Sequence, residues 1–291
     1  MSSPSLDSLA IVGPGRVGRA LGRRWVEAGL GVGFVGRSPS SAAEAVDFAG
    51  GRILNREDLA AAAVVVLAVQ DDCLEEAVAG LAGLATSGVW LHCSGAHDLA
   101  VLAPLAQAGV RTASLHPVCP IPDPEVGFRN LPESPGVIQV QAGDTETAAL
   151  VSDLARSADL DPVVVDGGDR LLYHTACVLG ANGLTALVSV VGELLNETMP
   201  AASAETVGSA LLTGALSASR EHGALAALSG PVTRGDSGLV GRQLSALAEV
   251  DPEVAGMFRA LMQRAATMSA RRGTLVDEAL VEMRGVLEGH G

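Results

Sequence analysis

Residues 9–18 read LAIVGPGRVG, and the fold follows from this stretch. Leu9 to Val12 form an apolar run long enough for a buried strand of a parallel sheet. Gly13, Gly15 and Gly18 follow at the spacing G-x-G-x-x-G. The first glycine of such a turn lets the chain bend off the strand, and the second lets backbone N–H groups approach a pyrophosphate. The third lets the next helix pack on the sheet with its positive N-terminal end toward the phosphates. The pattern predicts a helix over 16–28 stopped by Gly29 and a second strand over 31–35, which closes a βαβ unit. Gly13, Pro14, Gly15, Arg16, Val17 and Gly18 are therefore the candidate dinucleotide-binding residues.

The cofactor can be read one step further. NAD sites carry an acid about 20 residues past the glycines to bond the ribose 2′-hydroxyl. Here that place reads Gly36-Arg37-Ser38-Pro39-Ser40-Ser41, without an acid. Arg37 with the hydroxyls of Ser38, Ser40 and Ser41 suits a 2′-phosphate instead, through a charge-assisted fork and neutral donors, so the expected cofactor is NADP. Val69 and Gln70, just after the apolar run 61–69, are expected along the nicotinamide ribose.

Composition narrows the class. The chain has 291 residues, 48% of them hydrophobic and only 2% aromatic, a small-aliphatic core suited to a sheet covered on both faces. A formal charge of −14 argues against nucleic acid and anionic membrane surfaces as partners. The segment 175–192 carries no charge but holds polar residues and glycines, and it is expected to be a buried helix rather than a membrane span. Residues 1–8 show no basic, apolar leader, and the four cysteines show no metal or paired spacing, so a cytoplasmic protein with reduced thiols is expected. All 19 Lys+Arg residues are arginine, which excludes Schiff-base and P-loop lysine chemistry.

Along the chain, Asp71 and Asp72 are expected to cap a helix running to Leu84. Strands over 89–92 and 111–115 lead into Ser94 and His116, at the strand ends where open α/β sheets bind ligands. An imidazole titrating near neutrality makes His116 the first choice of proton donor and His174 the second. His92 reads as a satisfied core histidine and His97 as loop surface. The proline-rich segment 117–135 reads as an irregular wrap. Strands over 136–141 and 162–166 end the sheet. Helical patterns fill the rest, so residues 1–166 are a dinucleotide-binding domain and 167–291 a helical substrate and dimerisation domain. In that half, Asn182 lies eight residues past His174, about 12 Å along a helix, so the two would flank opposite ends of one molecule or be polar groups satisfied between helices. The turn Gly230 to Asp236 presents Arg234 at a helix start, with Thr233 beside it, as the anchor for a carboxylate; read plainly, it is a helix-capping turn.

Five segments carry a resemblance: GPGRVG at 13–18, HCSGAHDL at 92–99, SLHPVCPIPD at 114–123, YHTACVLGAN at 173–182 and GPVTRGD at 230–236. Together they resemble the Rossmann-like oxidoreductases whose C-terminal half is domain of unknown function 2520, within the 6-phosphogluconate dehydrogenase-like superfamily. The resemblance implies an N-terminal Rossmann-type sheet, an all-helical C-terminal domain, NADP, a homodimer through the helical domain and an active site in the cleft between the halves; the small anionic substrate is expected from Arg234. Prephenate and arogenate dehydrogenases carry an HP segment whose histidine engages the hydroxyl being oxidised, which projects onto His116, with Ser94 near it. Ketopantoate reductases use a lysine from the first long C-terminal helix, for which His174 is the nearest substitute here. The expected function is NADP(H)-dependent reduction of a small carboxylate-bearing carbonyl or imine, ketopantoate reductase-like at its most specific. The alternatives are NADP–deazaflavin hydride exchange and a non-catalytic NADP sensor.

Overall fold

A computed structural model describes residues 8–132, 134–141 and 143–289. Its first compact unit runs to Gly183 and its second begins at Leu184. In the first, β1 (Leu9–Val12), α1 (Arg16–Glu27) and β2 (Val32–Val35) form the βαβ unit read from the glycine turn. Then come α2 (Pro39–Ala49), β3 (Arg52–Ile53), β4 (Val64–Leu67), α3 (Leu74–Leu81), β5 (Val89–His92), α4 (Ala103–Gln107) and β6 (Arg111–Pro117). The unit closes with α5 (Pro124–Asn130), β7 (Pro135–Val140), α6 (Thr145–Arg156), β8 (Asp161–Val165) and α7 (Arg170–Val178).

The sheet order is β3-β2-β1-β4-β5-β6-β7-β8. The first six strands pair in parallel, β7 runs antiparallel to β6, and β8 is parallel to β7. The order reverses between β1 and β4, which makes the topological switch point of an open α/β sheet. Both faces are covered, and the strands show it by alternation. Ile11, Val66 and Leu91 belong to one buried cluster with Trp25 of α1 and Leu154 of α6. Ala10, Val65 and Trp90 belong to the other, with Val78 of α3 and Leu105 of α4. Trp25 also donates its indole N–H to the Leu154 carbonyl at 2.9 Å, so the largest side chain of that core leaves no orphan donor.

Three expectations are corrected. The wrap over 117–135 contains α5, capped by Asp123, which accepts from the Val126 N–H with Pro124 in the first turn; proline is compatible with a helix start. Asp71 and Asp72 open a 3₁₀ turn and neither caps α3. The helical run Arg170–Asn196 is apolar and long enough to cross a membrane by length and composition, yet none of its most apolar window is buried. The compact units divide at 183/184. The strands do stop at Val165, but Arg170 of α7 is buried and its Nη2 donates to the Ser94 carbonyl at 3.3 Å.

In the second unit, α8 (Leu184–Asn196) continues from a π-helical turn over Leu179–Gly183 and packs on α9 (Ala201–His222). After α10 (Ala224–Ala227), α11 (Ser237–Val250), α12 (Pro252–Arg272) and α13 (Asp277–Glu288) pack together around Val240, Ala266, Met283 and Leu287. Asp236 and Asp251 cap α11 and α12 through the Leu239 and the Glu253 and Val254 N–H groups.

Candidate active site

Strand register brings the site together. Val12, Leu67, His92 and Ser114 stand in register across β1, β4, β5 and β6. Two residues further along, these four paths reach Pro14, Val69, Ser94 and His116. All four therefore emerge at the carboxyl edge of the sheet, beside the switch point.

The glycine turn has the properties its spacing demands. Gly13 has φ +79°, and a Cβ there would meet Val69 Cγ1 at 2.6 Å. A Cβ on Gly18 would sit 2.9 Å from the Gly13 carbonyl oxygen, and one on Gly15 would meet nothing closer than 4.0 Å. Turn, open approach and close packing thus fall to the three glycines as the sequence requires. Arg16 donates from its guanidinium to the Pro122 carbonyl at 3.3 Å. At the end of β2, Arg37 is exposed and makes no hydrogen bond or ion pair among the described residues. The Ser38 hydroxyl is engaged, since it caps α2 by accepting from the Ser41 N–H at 3.2 Å. Val69 is half-buried and Gln70 exposed, with its side chain capping nothing.

Beside this turn lies a cluster of aromatic and basic side chains. His116 Nδ1 is 2.8 Å from the Tyr173 hydroxyl oxygen. The His116 and His174 rings meet edge to face with centroids 6.1 Å apart. Gly95 lies between them: a Cβ there would sit 2.8 Å from His116 Nε2 and 2.8 Å from His174 Cδ2. The missing side chain lets both rings close against the Gly95 backbone, and this close-packed cradle has His116 Nε2 on one side. Arg170 lies behind, its guanidinium carbon 4.5 Å from the centroid of the Tyr173 ring. It is 5% exposed, has no ion pair among the described residues, and its Nε has no hydrogen-bond partner.

Electrostatics assign protonation. Burial pulls the His116 pKa down to about 4, and the charges of Arg170 and His174 act in the same direction. An imidazole titrating near neutrality is thus corrected to one that is neutral at neutral pH. Burial raises the Tyr173 phenol above its usual range, with Cys177 adding to the shift and Arg170 opposing it. The resting cluster is a neutral phenol, a neutral imidazole and a guanidinium.

Other expected residues stand elsewhere. The Ser94 hydroxyl accepts from the Ala96 and His97 N–H groups at 3.2 and 3.1 Å and pairs with His97 Nδ1 at 3.0 Å. That turn shapes the Gly95 cradle and occupies the hydroxyl, and it moves His97 from loop surface into the Ser94 network. His92 is fully buried; neither ring nitrogen makes a well-formed hydrogen bond among the described residues, and the nearby Asp98 backbone only partly opposes the effect of burial on its pKa. Asn182 is exposed on the π-helical turn. Arg234 and Thr233 belong to the second unit, where Arg234 is exposed without an ion pair among the described residues and Thr233 Oγ1 donates to the Gly230 carbonyl at 2.8 Å. Arg170 and Tyr173 were absent from the sequence candidates. Their signal was the spacing Arg170, Tyr173, His174, Cys177, which puts four reactive groups on one helical face.

Fold and glycine turn together define a Rossmann-type α/β domain followed by a helical region. Residues 2–117 match the family model described as a Rossmann-like domain, and residues 137–265 match the domain of unknown function DUF2520. The chain thus joins a segment that matches the one model to a segment that matches the other. No curated protein matches the sequence. Among solved structures, a proposed NADP oxidoreductase from Bacteroides fragilis is 21% identical with TM-score 0.70, covering 90% of this chain and 100% of its own. A Thermotoga maritima protein is 20% identical with TM-score 0.67, covering 91% and 99%. A pyrroline-5-carboxylate reductase from Coxiella burnetii is 15% identical with TM-score 0.59, covering 92% and 97%.

Proposed function

We propose that the protein is an NADP(H)-dependent oxidoreductase that reduces a small carbonyl or imine compound bearing a carboxylate. The observation that carries this reading is the packing of His116 Nε2 against Gly95 at the carboxyl edge of a dinucleotide-type sheet, where a side chain at residue 95 would have no room. NADPH, when bound, supplies the hydride. The chain would hold its pyrophosphate at Gly13, Gly15 and Gly18, and its 2′-phosphate at the unpaired Arg37 near Ser38. His116 would give a proton to the substrate oxygen or nitrogen, with His174 on the other side of the cradle. We propose Arg234, with Thr233 beside it, as an anion-binding pair of the second unit, and Asn182 as a polar contact for the substrate.

The solved relatives include pyrroline-5-carboxylate reductases and reductive aminases, which favours an imine beside the 2-keto acids of a ketopantoate reductase-like reaction. The absence of lysine also separates this site from ketopantoate reductases, which use one. We further propose that the protein works as a homodimer through its helices.

One screen tests the reading. NADPH and NADH oxidation is followed with 2-keto acids, cyclic imino acids and a deazaflavin, in the unaltered chain and in Arg37→Ala. Oxidation of NADPH in preference to NADH by a keto or imino acid is expected. Arg37→Ala should cost about 1.5–3 kcal/mol of NADPH binding, the worth of a hydrogen bond to a charged group, and spare NADH. Turnover with deazaflavin alone moves the function to hydride exchange, and NADPH binding without any turnover moves it to a sensor.

A further inference from the structure

We propose that Tyr173 is the proton source of this site, His116 its conduit, and Arg170 the charge that holds the phenolate left behind. The inference rests on the reductase reading and adds what that reading lacks, an origin for the proton that His116 delivers. A neutral imidazole carries one N–H, and the bond made by one nitrogen decides where it sits. His116 Nδ1 faces the Tyr173 hydroxyl at 2.8 Å. With the phenol donating there, the imidazole proton is on Nε2, the nitrogen that faces the Gly95 cradle.

The step balances. The substrate C=X takes a hydride at carbon, with NADPH the two-electron donor, and X takes the Nε2 proton. Nδ1 takes the phenol proton in the same movement, giving CH–XH, a neutral His116 and a Tyr173 phenolate. A solvent proton at Nε2 and return of the Nδ1 proton to the phenolate reset the pair. A buried phenolate needs a counter-charge, and Arg170 supplies one. Its guanidinium lies over the ring at 4.5 Å, and no carboxylate among the described residues neutralises it by an ion pair. The other groups whose charges bear on this cluster are Asp98 on Arg170, Asp71 and His92 on His116, and His174 and Cys177 on α7 itself. Ser94 cannot replace the phenol, because its hydroxyl is held in its own turn.

The chain contains one tyrosine, so growth on difluorotyrosine alters Tyr173 alone and makes its phenol more acidic. The experiment compares the alkaline limb of kcat with the absorbance titration of that phenol. Reduction requires the protonated phenol, so kcat should fall as pH rises through its ionisation, and the two midpoints should coincide. Arg170→Met should move both to higher pH together, because a phenolate without its counter-charge forms less readily. Tyr173→Phe should lower kcat on the order of 10²–10⁴-fold, the usual share of proton transfer, with NADPH affinity unchanged. A limb that ignores the phenol titration, or full kcat in Tyr173→Phe, overturns the relay and leaves the reductase reading standing. Should Arg170→Met fail to fold, the fluorinated and Phe chains decide. If no carbonyl or imine acid is reduced at all, the reductase reading fails and the relay falls with it; an absorbance midpoint unmoved by Arg170→Met removes Arg170 from the scheme on its own.

Discussion

Burying an imidazole selects its neutral form, and His92 and His116 both show it. Burial is the largest influence on each and pulls each pKa from about 6.5 to about 4. A folded value below the unfolded one means that the unfolded chain binds more protons between the two, so stability rises with pH across that window. The contribution is complete above about pH 6.5 and is lost as pH falls through about 4, at about 1.4 kcal/mol per pH unit separating the two values. Urea midpoints of the unaltered chain should therefore drop from pH 7 to pH 4.5 by more than those of His92→Leu, which has no proton to bind. Equal drops in the two chains would show that His92 is not held neutral by the fold. At this scale the sequence was half legible. His116 announced itself by standing at a strand end before a proline, because strand ends and proline constraints are local. Its titration was not legible, because burial and the nearby Arg170 are produced by packing between β6 and α7.

At the scale of elements, the edge of the sheet works as a jig. Register carries Val69, Ser94 and His116 to one level, and the Ser94 turn then lays the Gly95 backbone against two histidines. A methyl group at Gly95 has no room, since it would stand 2.8 Å from His116 Nε2. Gly95→Ala should cut turnover by about 10²-fold or more, the scale of loss for a misplacement near 1 Å, while NADPH affinity stays. Gly83→Ala is the control, because nothing lies within 4 Å of its added Cβ. Equal activity in both variants would remove the cradle from the site. The glycine turn and β5 were legible because a tight turn and a buried apolar run leave local signatures. α5 was hidden by its own prolines, although Asp123-Pro124 is the pairing of a helix cap with a first helical residue. The reversed direction of β7 left no trace, because strand direction is set by the path of the chain rather than by its side chains.

At the scale of the molecule, one feature of the single chain does not agree with water. Of the seventeen exposed large hydrophobic residues among those described, nine lie between Leu171 and Leu216, with Leu171, Leu172 and Leu179 each at least 67% exposed. Concentrated apolar exposure of this kind marks a contact surface rather than a solvent face. The sequence pattern is that of a buried helix, and in the single chain that burial is missing. A second copy is the occupant we propose, since stable homodimers bury roughly 2,000 Å² or more of mainly apolar surface, and Gly180 and Gly192, with nothing within 4 Å of an added Cβ, leave room for a close helix approach. Light scattering should then give twice the 29.3 kDa of one chain. Leu179→Glu combined with Leu211→Glu should give monomers that melt at lower temperature, because each places a charge where the partner's apolar surface would have to desolvate it. The competing occupant is a bilayer, for which the 27-residue run Arg170–Asn196 is long enough. Flotation with neutral phosphatidylcholine vesicles separates the two, because the charge of −14 cannot repel an uncharged surface. A chain that floats with the vesicles, or one that is monomeric in water without the glutamates, ends the dimer reading.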